Sequence, residues 1–511
     1  MQPEVERADA VDDSSVEPGV WRYARATRAT VLVDAEDYFT HMQQAMLAAR
    51  ERIMMIGWDF DTRIHLEHGR RWYQRGMRST YPSRLGSFIL WLNRHRDGLE
   101  IRILKWSYGA FKFFSRGSMM LDLIRWWPHK RIDFKFDTNH PVGASHHQKI
   151  VVIDDHLAVC GGIDMTTQRW DTREHLEDNP DRKRPRGAVY GPWHDATMMI
   201  EGEAAAALGD LGRDRWVRAG GPELQPVSPA ASKQSAWPEK LEAQFEDVEL
   251  GIARTRAEYG GQPEIDEIAE LFERQIASAK HYIYAENQYF TSRRIGQAIC
   301  KRLTEENPPE ILIVHAAHAE GWLEQQAMDH ARAELIRTLG QLDKGSRFGL
   351  YVPFTGETPI YVHAKIMIID DRILRIGSAN MNNRSMGLDS ECDVFVDCER
   401  PGNDHCRVGV ARLRHSLLAE HCGLEVEEIP GLLARYGSMA GMIREIGTGR
   451  SRTLRRFDLP ELNGMQETLA ESGLLDPERP DDMFEPYAHG GLFRRTSLLG
   501  KIRSKVKKRK K

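Results

Sequence analysis

Two stretches of sequence decide the fold, His147-Gln-Lys-Ile-Val-Val-Ile-Asp154 and His363-Ala-Lys-Ile-Met-Ile-Ile-Asp370. Both follow the pattern His-x-Lys-x4-Asp, and they begin 216 residues apart. Each is followed at the same offset by a small-residue turn, Gly161-Gly-Ile-Asp164 in the first copy and Gly377-Ser-Ala-Asn380 in the second. One such match could arise by chance, whereas two with matching turns indicate a duplication. The pattern therefore predicts paired lobes that share one phosphate site.

The repeat extends to the elements around the motifs. Helical spacing of apolar residues, short apolar strands and a closing strand occur twice in the same order. The matched pairs are 36–50 with a helix beginning near Pro263, 53–56 with 282–285, 99–104 with 309–314, and 195–200 with 391–396. Strands that alternate with helices predict an α/β fold, here two similar lobes, each a mixed β-sheet flanked by helices. A repeat of roughly 200 residues is a duplicated domain and not a solenoid unit.

Composition changes along the chain set the predicted boundaries. The N-terminus is polar and acid-rich, prolines concentrate between the two copies, and the last residues are strongly basic. The predicted organisation is a disordered N-terminus at 1–19, an N-terminal lobe at 20–220, a linker at 221–262, a C-terminal lobe at 263–425, a C-terminal extension at 426–500 and a basic tail at 501–511.

Bulk properties exclude several classes of protein. The 511 residues carry a net charge of −4 and are 41% hydrophobic, so the chain as a whole is not a polyanion binder. No apolar run of about 18 residues is present, and the acidic start of the chain does not resemble a secretory signal. The six cysteines lack metal-binding spacing. These features predict a cytoplasmic protein with reduced thiols, with a possible peripheral position at the membrane.

The motif residues suit phosphodiester chemistry. Alternate residues of a strand share a face, so we expect His147 and Lys149 to point the same way, as do His363 and Lys365. Two lysines neutralise phosphate oxygens, while one histidine attacks phosphorus and the other protonates the departing oxygen. Four protein groups supply the charge and the proton transfers, so no metal or cofactor is predicted for this reaction.

Neighbouring residues are predicted to support this chemistry. Asp195 and Glu391 open the closing strands at equivalent positions, and we expect each to orient one histidine. Asp154 and Asp370 complete the motifs, where a structural role in the turn is the favoured interpretation. The predicted catalytic residues are His147, Lys149, Asp154, Asp195, His363, Lys365, Asp370 and Glu391. The predicted phosphate-binding residues are Lys149, Lys365, Gly162, Ser378 and Asn380.

These residues resemble the phospholipase D superfamily, whose hallmark is the doubled His-x-Lys-x4-Asp motif. The resemblance covers roughly residues 28–420. Together with Arg169-Trp-Asp-Thr172 and Glu286-Asn-Gln-Tyr-Phe290, the motifs are similar to those of eukaryotic-type phospholipases D and their bacterial relatives. The chain departs from relatives that carry lipid-binding modules in long N-terminal extensions.

The resemblance implies a fold and a reaction. The fold would be two α/β lobes related by a pseudo-twofold axis, with the active site between them. The reaction would be hydrolysis of a phosphatidyl ester, or its transfer to another alcohol, through a phosphohistidine. The family pattern assigns attack to His147 and acid–base work to His363.

Other functions remain open from sequence. A cardiolipin-synthase-like enzyme would use the same residues to pass a phosphatidyl group to phosphatidylglycerol. A nuclease or phosphodiesterase of the same superfamily, an idle binding module and an exported effector are further alternatives.

The predicted partner is a phospholipid at a membrane surface. Residues 501–511 carry eight Lys or Arg in eleven, a density that attracts anionic lipid at roughly 1 kcal/mol per basic residue. A disordered solubilising tail is the competing interpretation. No nucleic-acid partner is expected, and a monomer suffices because one chain holds both motifs.

Overall fold

The computed structural model describes residues 17–71, 80–106, 118–318, 332–333 and 335–457. The basic tail at 501–511, most of the predicted disordered N-terminus at 1–19 and the later part of the extension at 426–500 lie outside the described residues.

The strands of the described part are β1 Arg22–Val33, β2 Arg52–Gly57, β3 Glu100–Trp106, β4 Ile132–Asp137, β5 Ile150–Ile153, β6 Leu157–Gly161, β7 Trp193–His194, β8 Ala196–Gly202, β9 Phe245–Arg256, β10 Ile265–Asp266, β11 Tyr282–Asn287, β12 Glu310–His315, β13 Phe348–Thr355, β14 Thr358–Pro359, β15 Tyr361–Val362, β16 Ile366–Ile369, β17 Ile373–Gly377, β18 Glu391–Asp397 and β19 Arg452–Arg456. The helices are α1 Ala35–Ala48, α2 Leu85–His95, α3 Ser118–Trp126, α4 Glu203–Arg218, α5 Pro229–Ser232, α6 Glu267–Ser278, α7 Arg293–Leu303, α8 Asn383–Gly387, α9 Arg407–Cys422, α10 Ile429–Tyr436 and α11 Met439–Ile446.

The strand pairings repeat in the two halves of the chain. In the first half the order is β4-β3-β2-β5-β6-β8-β1, with β2, β3 and β4 parallel and the remaining pairs antiparallel. In the second half it is β13-β12-β11-β16-β17-β18-β9, with the same parallel and antiparallel pattern. Antiparallel pairing of β1 with β9 joins the two series. The predicted α/β class with mixed sheet and flanking helices is confirmed. Division into separate lobes stays a prediction, because the pairing is continuous.

Apolar packing follows the repeated order. An inner core combines residues of both halves, among them Val152 and Cys160 with Ile368 and Cys392. Two outer cores lie under the helices, one beneath α1 and α2 and one beneath α6 and α7. The buried stripe on α1 that includes Tyr38, Phe39, Met42 and Met46 shows why that helix packs on the sheet. The inner core thus contains buried residues of both motif strands, β5 and β16.

The predicted linker at 221–262 is wrong in part. Residues Phe245–Arg256 form β9, a long strand that pairs with β1, β18 and β10. The strand begins Phe-Glu-Asp-Val-Glu-Leu, and its charged residues conceal the apolar alternation that would have indicated a strand. Its partner β1 was also not predicted, so the joint between the halves was invisible to sequence patterning.

The motif strands are shorter than predicted. Strands β5 and β16 begin at Ile150 and Ile366, immediately after the motif lysines. His147 and His363 therefore lie in the segments that lead into the strands and not within them. All four residues of each strand are buried, so the strands anchor these segments.

The two motif aspartates hold matching turns. Asp154 accepts backbone N–H groups of Arg50, Glu51 and Arg52 at 2.7–2.8 Å. Asp370 accepts those of Lys280, His281 and Tyr282 at the same range of distances. Both have positive φ, 51° and 53°, a region that aspartate tolerates better than most residues. They lie at the ends of β5 and β16 away from the histidines, which gives them a structural role.

Replacing Asp154 by Ala is expected to lower the free energy of unfolding by about 3 kcal/mol, because three amides lose their shared acceptor. Urea denaturation followed by circular dichroism measures the change. Asp97 is exposed, and Asp97→Ala serves as the matched control. Equal stability of the two variants would contradict the structural role of Asp154.

Within the described residues, no helix has both the length and the apolar character needed to cross a bilayer.

Candidate active site

The backbone of each motif histidine is bonded to the opposite half of the chain. The amide of His147 donates to the carbonyl of Ser390 at 2.9 Å, and that of His363 donates to the carbonyl of His194 at 2.7 Å. Short parallel pairings flank both contacts, β7 with β15 and His146 with Ser390. The two motif segments are thus anchored reciprocally at the same interface.

Each histidine side chain also contacts a carboxylate from the other half of the chain. Nδ1 of His147 lies 3.1 Å from both carboxylate oxygens of Glu391, and Nδ1 of His363 lies 2.7 Å from Oδ2 of Asp195. Both carboxylates are fully buried. Each histidine of one half is therefore oriented by the carboxylate of the other half.

Three cations surround the histidines. The Nζ of Lys149 donates to the carbonyl of His147 at 2.6 Å and lies 3.7 Å from Asp164, while the Nζ of Lys365 donates to the carbonyl of His363 and to Oε1 of Gln288. Arg169 is buried, with its guanidinium 4.4 Å from the ring centre of Trp193. Its positive charge lowers the pKa of both lysines. The site therefore concentrates positive charge around the two imidazoles.

Burial shifts the proton affinities of the site. It holds the pKa of His147 and His363 well below the usual value, and the neighbouring lysines lower both further. Burial also lowers the pKa of Lys365 to about 7 and raises that of Glu391 to about 8. The imidazoles are thus neutral in the empty site, which leaves a lone pair on each ring.

One contact distinguishes the two histidines. Nδ1 of His147 also lies 3.0 Å from the carbonyl oxygen of Ser378, which can only accept a hydrogen bond. Nδ1 therefore carries the proton, and Nε2 of His147 keeps the free lone pair. For His363, the hydrogen-bond partner found at Nδ1 is the carboxylate of Asp195.

The small residues after the motifs make room for the two carboxylates. A Cβ on Gly162 would overlap Oδ1 of Asp195 and approach the carbonyl of His363. At the equivalent position, the hydroxyl of Ser378 donates to Glu391 at 2.5 Å and accepts the amide of Cys392.

Gly162 and Ser378 were predicted to bind phosphate, and the structure gives them another role. The amide of Gly162 donates to the carbonyl of Ala196, so neither this amide nor the Ser378 hydroxyl is open to a ligand. Asn380 remains a candidate phosphate contact. It is buried, and its contact with a phosphate would be made by the Nδ2 amino group, because Oδ1 can only accept a hydrogen bond.

Sequence reasoning assigned no role to several residues of the site. Arg169 and Gln288 lie in the two additional motifs that carried the resemblance. Neither the guanidinium of Arg169 nor the amide of Gln288 was predicted to lie in the site. Trp58 and Trp193 flank the histidines, with ring centroids 6.3 Å from His147 and 5.1 Å from His363. Trp58 and Gln288 directly follow strands and Trp193 begins one, which was the available signal, whereas Arg169 lies in the loop between β6 and β7.

Known proteins match this chain over most of its length. A family described as "Cardiolipin synthase, PLD-like domain" matches residues 272–406. Phospholipase D1 of Saccharomyces cerevisiae is 26% identical in a match that covers 78% of this chain and 29% of the yeast protein. Phospholipase D A of Dictyostelium discoideum is 25% identical, covering 77% of this chain and 35% of that protein. The chain thus spans about a third of the length of these curated relatives.

A solved structure shares the fold. The crystal structure of phosphatidylserine synthase from Haemophilus influenzae Rd KW20 aligns with a TM-score of 0.52 and 11% identity, covering 82% of this chain and 95% of that chain. At this identity the likeness concerns the fold alone.

Proposed function

We propose that this chain, a member of the phospholipase D superfamily, cleaves the phosphodiester bond between a phosphatidyl group and its head-group alcohol. The observation that carries the proposal is the crossed pairing of His147 with Glu391 and His363 with Asp195. Two oriented imidazoles within a cluster of cations suit a two-step transfer of a phosphoryl centre better than a single hydrolytic attack.

In the first step, Nε2 of His147 attacks phosphorus, the bond to the head-group oxygen breaks, and protonated His363 gives its proton to that oxygen. Asp195 stabilises the imidazolium form of His363, and the anionic substrate favours it as well. In the second step, water or an alcohol loses its proton to His363 and attacks phosphorus, which releases His147. Lys149, Lys365 and Arg169 neutralise the phosphate oxygens throughout.

The assignment of attack to His147 is supported by its fixed tautomer. The Ser378 carbonyl holds the proton on Nδ1, so Nε2 is ready to attack without prior proton loss. The carboxylate of Asp195 suits a residue that alternates between neutral and charged forms, which is the work of His363.

Product analysis tests the function. Phosphatidylcholine vesicles with a trace of primary alcohol should give phosphatidic acid and phosphatidyl-alcohol, because both acceptors compete for one phosphatidyl-enzyme. The doubly substituted variant His147→Asn/His363→Asn provides the background. Absence of both products, with intact substrate across several head groups, would overturn the proposal.

The second candidate is a cardiolipin-synthase-like transfer, favoured by the description of the family that matches residues 272–406. With phosphatidylglycerol as the lone lipid, this activity gives cardiolipin and glycerol, whereas hydrolysis gives phosphatidic acid and glycerol. Single-stranded DNA in the same buffer tests the nuclease alternative.

Activity is expected to fall as pH rises through about 7. Lys365 in the empty site is charged below that pH and neutral above it, and a neutral amine cannot neutralise the phosphate. The profile of kcat/KM for a soluble short-chain substrate measures this loss. Lys365→Arg should move the fall to higher pH, whereas the exposed control Lys240→Arg should not. A profile that stays flat from pH 6 to 9 on the wild type would contradict the role of Lys365.

The basic tail is proposed to hold the protein at anionic membranes from the cytoplasmic side. A monomer suffices for the reaction because one chain contains both motifs. Deletion of 501–511 is expected to weaken binding to vesicles rich in anionic lipid by about tenfold or more. Turnover of a soluble short-chain substrate should stay unchanged. Equal sedimentation of the full-length and shortened proteins with vesicles would show that the tail does not bind the membrane and would favour a solubilising role.

A further inference from the structure

A second group of buried ionisable side chains lies behind Asp195. It contains residues from both halves of the chain, and each is at most 5% exposed. Four of them present one ligand atom each within 4.8 Å of the others, namely Asp34, His175, His194 and Glu420. The proposed reaction uses none of these side chains.

The nitrogen–oxygen contacts within this group have the length expected between the ligand atoms of a metal site. Nε2 of His175 lies 3.4 Å from Oδ2 of Asp34 and 3.1 Å from Oε1 of Glu420. Nδ1 of His194 lies 3.4 Å from Oδ1 of Asp34 and 2.8 Å from the same Glu420 oxygen. Bonds of about 2.0–2.1 Å to a tetrahedral Zn²⁺ separate neighbouring ligand atoms by about 3.3 Å. The contacts of the two imidazoles with the two carboxylates are therefore close to this spacing before any ion is added.

The outer contacts also match a metal centre. The other ring nitrogen of His175 lies 3.0 Å from Asp171, and that of His194 lies 2.6 Å from Glu286. Histidine ligands of metals usually donate this second N–H to a carboxylate, which fixes the ring and its tautomer. The second oxygen of Glu420 accepts a hydrogen bond from Nε of Arg173 at 2.6 Å.

Two atoms that face the cluster are unsatisfied. Among the described residues, Oδ2 of Asp34 and Nδ1 of His194 have no hydrogen-bond partner, although both side chains are almost completely buried. Buried polar atoms without partners are costly, so they indicate an occupant that accepts lone pairs.

We propose that Asp34, His175, His194 and Glu420 bind one Zn²⁺ in a closed structural site. Two imidazole nitrogens and two carboxylate oxygens in a tetrahedron suit Zn²⁺ and not Ca²⁺ or Mg²⁺, which take six or more oxygen ligands. The competing arrangement has no metal and one additional proton on each imidazole.

The ion would stiffen the support of the active site. Oδ1 of Asp34 accepts the amide of Asp195 at 3.0 Å, and the amide of Asp34 donates to the carbonyl of Asp195 at 2.7 Å. The carbonyl of His194 accepts the amide of His363. Because Glu420 comes from the second half, the ion would join both halves directly behind the Asp195–His363 pair.

Metal analysis of the untagged full-length protein tests the site. After growth with Zn²⁺ and dialysis against metal-free buffer, we expect about one Zn²⁺ per chain for the wild type. The exposed control His95→Ala should keep this content, and His175→Ala should retain less than about a tenth of it. A strong chelator should lower the wild-type melting temperature, and added Zn²⁺ should restore it.

Replacement by Co²⁺ provides a readout that does not depend on the variants. A tetrahedral site gives intense visible absorption, whereas an octahedral site absorbs weakly. Three results would each overturn the proposal: wild-type protein without bound metal, a melting temperature insensitive to chelator, or a weak Co²⁺ spectrum. The cluster would then hold no metal, and each imidazole would carry one additional proton. All three measurements are independent of turnover, so they stand whether or not phospholipid is the substrate.

Discussion

Replacing His147 by Asn is expected to lower kcat by about 10³-fold or more, and His363→Asn should do the same with a phospholipid substrate. The reason differs between the two variants. Without His147 no bond to phosphorus forms, whereas without His363 the head-group oxygen leaves without a proton. A substrate whose leaving group needs no proton therefore separates the two roles.

A short-chain p-nitrophenyl phosphodiester provides that substrate, because p-nitrophenolate leaves unassisted. In rapid mixing, His363→Asn should release about one nitrophenolate per site and then stall, with the phosphoryl group retained on His147. His147→Asn should show no burst. Mass spectrometry of the stalled protein locates the label. A burst from His147→Asn and none from His363→Asn would reverse the assignment, and near wild-type turnover by either would remove the shared-site mechanism.

Gly162→Ala is expected to have the second largest effect, a loss of about 10²-fold or more in kcat. The added Cβ overlaps Oδ1 of Asp195, so this carboxylate must move away from Nδ1 of His363. The imidazolium that forms during turnover then lacks its partner. Steady-state turnover, together with a melting curve to show that the variant folds, measures the effect.

The structure offers both a control and a rescue for this variant. Gly431 lies exposed on α10 with open space around its Cβ position, so Gly431→Ala should leave turnover unchanged. The double variant Gly162→Ser/Asp195→Glu reproduces the pair Ser378 and Glu391 of the other half. We expect it to recover part of the activity that Gly162→Ser alone loses. Full activity of Gly162→Ala would show that Asp195 does not orient His363.

Sequence patterning predicted the elements with strong apolar signals. The helix near 36–50 and the strand near 53–56 correspond to α1 and β2, with bounds shifted by one or two residues. Duplication of the motif made His147 and His363 candidates for a shared site, because two identical charged patterns have no packing explanation. This spacing is local in the sequence, so it can be recognised without knowing how the rest of the chain folds.

The features that sequence could not supply depend on distant parts of the chain. Strand β9 carries charged residues because only part of it is buried, so its apolar alternation is weak. The crossing of Glu391 to His147 depends on how the two halves meet, and no local pattern encodes that contact. His175, His194 and Glu420 are far apart in sequence and show no metal-ligand spacing, so only the folded chain reveals their cluster.

The crossed carboxylates bear on how the molecule arose. A single ancestral half would have had its histidine oriented by nothing of its own, so it would have needed a second copy from the start. With both copies on one chain, the two halves need not be identical. The two halves do differ here, with Asp195 against Glu391 and Gly162 against Ser378. Two histidines in unlike surroundings can therefore take different tasks, one in attack and one in proton transfer.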